Sequence, residues 1–294
     1  MKKQLSLIAI ICCLGQLLYA QLPEEKLLYP NGIENNPIKH SQEESYVDSL
    51  LKPVSLSQKN RVYSYISNPS YMLFPAADSN NKHVGVLIFP GGGLVDNWVD
   101  KEGTDLALWL SAKGINCMVV KYRTNARDEN RKYIIPMDTY KKAVCLDAKT
   151  SFKKFEELSE SIDVDKDKIG VIGFSAGGWI IEKWLIQSIE EEEKWEPGFA
   201  GLVYFGNGLK FVKKLKKHYD ELPPFFMATA RDDKKLPLHR IMPYLTKLIL
   251  QVNKSELHIY SKGDHGFGLA YDNGHSVELW KENYYRWLLD ICNK

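Results

Sequence analysis

The stretch Gly173-Phe174-Ser175-Ala176-Gly177-Gly178 holds the residue types that nucleophilic chemistry requires. A serine hydroxyl attacks well only when a base takes its proton, and the oxyanion that results needs N–H donors aimed at it. Just before it, Lys168-Ile169-Gly170-Val171-Ile172 reads as a short buried strand. Just after it, Trp179-Ile180-Ile181-Glu182-Lys183-Trp184-Leu185-Ile186 spaces apolar residues three and four apart, as a helix does. Gly-x-Ser-x-Gly therefore falls at a strand-to-helix turn, the setting of a nucleophile elbow. Gly173 and Gly177 allow the sharp turn and a close approach of helix to strand. Ser175 is expected at the tip, with the Ala176 N–H beside it as an oxyanion donor. A plain glycine-rich turn has the same five-residue pattern, so the rest of the chain has to decide.

Three further stretches fall where such a serine would need them. Phe89-Pro90-Gly91-Gly92-Gly93-Leu94 ends an apolar run, and its glycines let backbone N–H groups approach a carbonyl oxygen unobstructed. Gly92 and Gly93, with Ala176, are the expected oxyanion donors; a simple glycine turn is the plainer reading. Ala230-Arg231-Asp232-Asp233-Lys234-Lys235-Leu236-Pro237 places an acid after another strand-like run, where it can orient a histidine. Adjacent residues leaving a strand point in different directions, so only one of Asp232 and Asp233 can face that histidine. The histidine itself is expected at His265, in the glycine-flanked loop Lys262-Gly263-Asp264-His265-Gly266-Phe267-Gly268. His258 reads as a strand residue, His239 and His275 as helix starts, and His40, His83 and His218 as polar surface residues. The order Ser175, acid, His265 is the one seen when this chemistry sits on a doubly covered parallel sheet.

The elements that must position these residues follow from periodicity. Strands are expected at Val84–Phe89, Asn116–Lys121, Ile169–Ile172, Gly201–Phe205, Phe225–Thr229 and Glu256–Tyr260. Helices are expected between them at Glu102–Ala112, Thr139–Leu158, Gly177–Ile189, Lys210–Tyr219, Leu238–Gln251 and His275–Ile291. Short apolar strands alternating with helices predict an α/β fold with a mostly parallel central sheet and helices on both faces. Arg61–Ile66 and Tyr71–Phe74 alternate loosely and predict an edge hairpin. The carboxylate run Glu190–Glu193 reads as a solvated helix end.

Composition limits what such a chain does. It has 294 residues, 44% hydrophobic and 26% charged, enough for a large core. Residues 1–20 have a basic start at Lys2 and Lys3, an apolar stretch from Leu5 to Leu18, and Ala20, and read as a secretory signal cleaved after Ala20. Cys12 and Cys13 in that stretch leave lipoprotein processing as the alternative. The apolar stretch is short for a membrane span. Residues 21–60 read as a polar N-terminal lead-in, and 61–294 as the catalytic domain. Losing Lys2 and Lys3 would bring the 39 basic residues level with the 37 acidic ones, which argues against nucleic acid or an anionic membrane as a partner. Of five cysteines, Cys117, Cys145 and Cys292 would remain, so this is no disulfide scaffold.

From about Tyr71 to the C-terminus the chain resembles the α/β-hydrolase esterases, in particular bacterial acetyl xylan esterases and related feruloyl and dienelactone-hydrolase-like enzymes. The resemblance lies in Pro90-Gly91-Gly92-Gly93, Lys101-Glu102-Gly103, Lys121-Tyr122-Arg123, the run from Ile169 to Gly178, Asp233-Lys234-Lys235-Leu236-Pro237 and His265-Gly266-Phe267-Gly268. Tyr29-Pro30-Asn31-Gly32 is similar to the family's lead-in. The resemblance places the acid four residues before a proline, which selects Asp233. It implies a serine esterase acting on short, acetyl-type esters of plant polysaccharides or oligosaccharides, with no metal or organic cofactor. Leu94, where the family has an aromatic, and Trp179, where it often has histidine, depart from the pattern and bear on substrate. Trp98 and Trp179 are the expected substrate contacts, Trp98 as a stacking surface for a sugar unless it is buried in the core. A feruloyl esterase, a serine peptidase, or a carbohydrate-binding protein that has lost turnover are the alternatives.

Overall fold

The computed structural model describes residues 22–48, 56, 59–205, 215 and 218–293. The expected signal segment and most of the helix expected at Lys210–Tyr219 lie outside the described residues.

The strands are β1 (Glu25–Leu27), β2 (Ser45–Asp48), β3 (Arg61–Ser64), β4 (Ser70–Phe74), β5 (Val84–Phe89), β6 (Asp96–Asn97), β7 (Ile115–Lys121), β8 (Ile169–Phe174), β9 (Ala200–Val203), β10 (Phe225–Ala230) and β11 (Glu256–Tyr260). The helices are α1 (Asp105–Ser111), α2 (Met137–Leu158), α3 (Ala176–Glu190), α4 (Leu238–Gln251) and α5 (Trp280–Cys292). One eight-stranded sheet runs in the order β1-β4-β7-β5-β8-β9-β10-β11. From β7 to β11 neighbouring strands pair in parallel, and β1 and β4 close one edge in antiparallel pairings.

Every residue of β5, β7, β8 and β10 is buried. Their unbroken apolar runs fit a sheet covered on both faces. Alternation along the strands divides the core in two. Leu87 and Phe89 of β5 pack with Tyr140, Val144 and Phe152 of α2, Ile180 and Trp184 of α3, and Leu245 of α4. Val86 and Ile88 face the other way, toward Leu106 and Leu110 of α1 and Trp280, Tyr284 and Trp287 of α5. Because these strands run in one direction, the loops after β5, β8, β10 and β11 all emerge at the carboxyl end of the sheet. Ligands bind at this end in open α/β sheets.

The expected hairpin of Arg61–Ile66 with Tyr71–Phe74 does not form. β3 pairs with β2 and β6 in a separate three-stranded sheet, while β4 joins the main one. Tyr65 takes φ +59° and the Ile66 N–H goes to Thr124 Oγ1 at 2.9 Å, which turns the chain away before a hairpin closes. The helix expected from Glu102 begins as a π-type turn, Asp100–Thr104, leading into α1. β9 stops at Val203 because Tyr204 takes φ +36°. α3 ends at Glu190, and Glu191–Glu193 are exposed after it. Cys117, Cys145 and Cys292 are buried free thiols.

Residues 22–48 are tied to this body. Leu28 and Ile38 lie in the α2/α3 core, β1 extends the main sheet, and Lys121 reaches both Glu25 and Glu44.

Candidate active site

Ser175 sits between β8 and α3 with φ +47° and ψ −108°, a conformation that L-residues avoid. Close packing around it makes that turn possible. A Cβ on Gly173 would lie 2.5 Å from the Gly177 carbonyl carbon, and one on Gly177 would run into the Phe89 carbonyl oxygen. The Ser175 N–H donates to the Val203 carbonyl at 3.0 Å, which fixes the elbow to β9. The side chain is thereby turned away from the sheet hydrogen bonding, toward the loops.

Ser175 Oγ lies 2.9 Å from His265 Nε2, and His265 Nδ1 lies 2.8 Å from Asp233 Oδ2. A carboxylate can only accept, so the ring proton sits on Nδ1 and leaves Nε2 to accept from the serine hydroxyl. Asp233 is buried, and its Oδ1 accepts the N–H groups of Lys235 and Leu236, each at 2.8 Å. Burial opposes its charge, but the His265 hydrogen bond and these backbone donors prevail and hold the Asp233 pKa below the usual carboxylate range. Asp232 is exposed and does a different job. Its Oδ1 accepts the N–H of Asp264 at 2.8 Å, at a residue with φ +54° that begins the turn into His265.

The glycine loop lies against the serine. A Cβ on Gly91 would come within 3.0 Å of Ser175 Cβ. Gly92 has φ +136° and Gly93 φ +64°, and the Gly92 carbonyl accepts Asp96 N–H at 3.0 Å to close the turn. Among the described residues, no hydrogen bond within the protein uses the N–H of Gly92, Gly93 or Ala176. Those three N–H groups are the ones the sequence singles out as oxyanion donors. Leu94 follows with φ +70° and is buried.

Trp98 is half-buried at the loop's far end, its N–H on the Gly91 carbonyl at 3.1 Å and the Lys101 ammonium 5.8 Å from its ring centre. Trp179, one turn beyond Ser175, is half-buried and stacked on Tyr140 with ring centres 6.3 Å apart. The other histidines are engaged elsewhere: His258 stacks on Phe226 and pairs with Glu256, and His40 contacts the Thr124 carbonyl. His83 pairs with Asp163 and His218 with Glu221, while His239 and His275 are exposed.

Two neighbours of the site escape sequence reasoning. Glu102 is buried, its Oε2 accepting the Gly91 N–H at 2.7 Å and its Oε1 the Tyr204 hydroxyl at 2.8 Å. The Tyr204 oxygen also accepts the Gly268 N–H at 3.3 Å. Periodicity reads Glu102 as a polar helix start and Tyr204 as a strand residue. The one available signal is that Lys101-Glu102-Gly103 belongs to the stretches carrying the family resemblance.

A parallel sheet with this strand order, a serine elbow after β8, an acid after β10 and a histidine after β11 define the α/β-hydrolase fold. Known proteins agree. No family model matches the chain. An acetylxylan esterase of Xylanibacter ruminicola is 25% identical over 220 residues, covering 67% of this chain and 43% of the relative. The chain thus matches less than half the length of that relative. Among solved structures, an acetyl ester-xyloside bifunctional hydrolase from Caldicellulosiruptor lactoaceticus superposes with a TM-score of 0.59 at 24% identity, covering 76% of this chain and 88% of that one. The esterase Est2 of Thermogutta terrifontis gives 0.57 at 17% identity over 76% and 88%. MGS-M1, an α/β-hydrolase enzyme from a deep-sea metagenome library, gives 0.55 at 22% over 86% and 98%. The fold is shared with all three, and the chain resembles the acetylxylan esterases.

Proposed function

We propose that the chain is a serine esterase that removes short acyl groups, acetyl above all, from polysaccharide or oligosaccharide alcohols such as those of xylan. The observation that carries this reading is the hydrogen-bonded series Ser175–His265–Asp233 beside a glycine loop with spare N–H groups. His265 Nε2 takes the Ser175 proton as Oγ attacks the ester carbonyl carbon. The oxyanion is received by the N–H groups of Gly92, Gly93 and Ala176, and Asp233 stabilises the imidazolium. Collapse expels the sugar alcohol, which takes its proton from His265. Water then repeats the sequence on the acyl-enzyme and releases the carboxylic acid. Trp179 narrows the acyl side and Trp98 offers a ring face to a sugar. The apolar start of the chain would carry the enzyme out of the cytoplasm, where such polymers are met.

The test joins a fluorophosphonate label to a substrate series. Wild type is labelled and Ser175→Ala is not, while both keep the same circular dichroism. Acetyl esters turn over much faster than octanoyl esters, and acetylated xylan oligosaccharides yield acetate. Labelling that persists in Ser175→Ala refutes the nucleophile. Equal rates on acetyl and octanoyl esters, or no acetate from any acetylated glycan, refute the substrate class, and release of ferulate moves the reading to a feruloyl esterase.

A further inference from the structure

Glu102 is a carboxylate only 5% exposed, on the π-type turn beneath the glycine loop. Burying an ionised carboxylate is costly unless donors compensate it. Its two oxygens face two donors, and each donor belongs to a different wall of the site. Through Oε2 it holds the Gly91 N–H at 2.7 Å, which turns that peptide inward. Gly91 is wedged: a Cβ there would stand 2.8 Å from the Phe174 carbonyl oxygen and 3.0 Å from Ser175 Cβ. A shift of the Glu102 head therefore moves the glycine loop relative to the nucleophile.

Through Oε1 it holds the Tyr204 hydroxyl at 2.8 Å, and that oxygen receives the Gly268 N–H at 3.3 Å. The Tyr204 ring packs edge-on against His265 at 5.1 Å and against Phe267 at 4.5 Å. Gly268 leans on the same turn, since a Cβ there would lie 2.8 Å from the Lys101 carbonyl oxygen. One side chain thus spans from the oxyanion loop to the histidine loop.

We propose that Glu102 is a positioning residue that keeps the glycine loop and the histidine loop in register around Ser175. This rests on the esterase reading above. The Gly91 N–H can only donate, and the Tyr204 hydroxyl, whose oxygen already receives the Gly268 N–H, donates to Oε1. Burial outweighs the Tyr204 hydroxyl, Lys101, the Gly91 N–H and His265, and holds its pKa above the usual carboxylate range. Tyr122 and Tyr204 both feel a charge on Glu102, and a charge on Asp233 acts on Tyr204 in the same sense.

The oxyanion and the imidazolium exist only on the reaction path, so losing the clamp affects turnover and leaves substrate affinity in place. The experiment compares wild type, Glu102→Gln, Tyr204→Phe and the double variant on one acetyl ester, with an alkyl boronic acid as a tetrahedral mimic. Glu102→Gln is expected to lower kcat about 10- to 100-fold, less than the ~10²–10³ that follows outright loss of an oxyanion donor. KM stays within about twofold, and boronate affinity falls in step with kcat. Tyr204→Phe gives a smaller loss of the same kind, and the double variant loses less than the product of the two, as residues sharing one network do. If Glu102→Gln does not fold, Tyr204→Phe carries the same test. Wild-type kcat and boronate affinity in a folded variant, or a loss confined to KM, overturns the proposal. A wild type that cleaves no ester and binds no boronate overturns the esterase reading instead.

Discussion

Asp232 and Asp233 are neighbours with opposite surroundings, and the difference decides their roles. Asp233 is buried with both oxygens committed, one to His265 and one to two backbone N–H groups. Asp232 is exposed and braces the loop that presents the histidine. Asp233→Asn is expected to lower kcat by about 10⁴, the loss seen when a triad acid becomes an amide and the imidazole adopts the wrong tautomer. Asp232→Asn keeps most of the activity, because an asparagine oxygen still accepts the Asp264 N–H; steady-state rates on one ester separate the two. The same carboxylate gives a pH prediction. Its pKa is lowered in the fold relative to about 3.9 in an unfolded chain. The stability it adds is therefore complete above about pH 4 and is lost as pH falls through the lowered folded-state value. The melting-temperature gap between wild type and Asp233→Asn should hold steady at neutral pH and close in acid. Residue spacing narrows the acid to one of the pair and the family resemblance selects Asp233; the hydrogen bonds that orient it, from the Lys235 and Leu236 N–H groups, belong to the turn itself.

Elements whose pattern is self-contained were legible from the chain, and those set by distant contacts were not. β5, α4 and β11 have the bounds that periodicity predicts; β5 is an apolar run on a covered sheet, and α4 lays its apolar face against the core. The elbow was legible too, since its glycines mark where helix and strand meet backbone to backbone. β3 and β4 read alike in sequence but divide between two sheets, because Thr124, nearly sixty residues on, takes the Ile66 N–H. The π-type turn and the positive φ of Tyr204 are equally invisible, as both depend on the glycine and histidine loops that Glu102 joins. The elbow itself yields a prediction. A methyl on Gly177 meets the carbonyl oxygens of Phe89 and Pro90, which are backbone atoms and cannot rotate aside. Gly177→Ala must push α3 away from β5, at a cost of about 1–3 kcal/mol or more for overpacking. It also displaces the Ala176 N–H, so kcat should fall further than the drop in urea midpoint explains.

The molecule as a whole is knit together by one buried ion pair away from the chemistry. Arg123, at the end of β7, places Nη2 2.7 Å from Asp147 Oδ1 and Nε 2.9 Å from Asp147 Oδ2, and both residues are buried. The Arg123 Nη1 donates to Asn36 Oδ1 at 2.9 Å, and the Tyr29 hydroxyl donates to Asp147 Oδ1 at 3.1 Å. The pair therefore joins the central sheet, helix α2 and the N-terminal segment, although Tyr29 and Asp147 are 118 residues apart. Such pairs are poor sources of net stability when intact, yet breaking one is expensive because the remaining charge stays buried. Asp147→Ala leaves the guanidinium unpaired and should cost about 3–5 kcal/mol, a large share of the ~5–15 kcal/mol that holds a typical domain together. Replacing both members, as Arg123→Met with Asp147→Leu, removes both desolvation penalties and should recover most of that loss. The double replacement nevertheless still lacks the ties to Tyr29 and Asn36. Its urea midpoint should return toward wild type, while limited proteolysis still cuts faster within residues 22–48. If the double replacement is as unstable as Asp147→Ala, the pair contributes specific attraction rather than mere charge compensation. If proteolysis is unchanged, the N-terminal segment is held by Leu28 and Ile38 in the core instead.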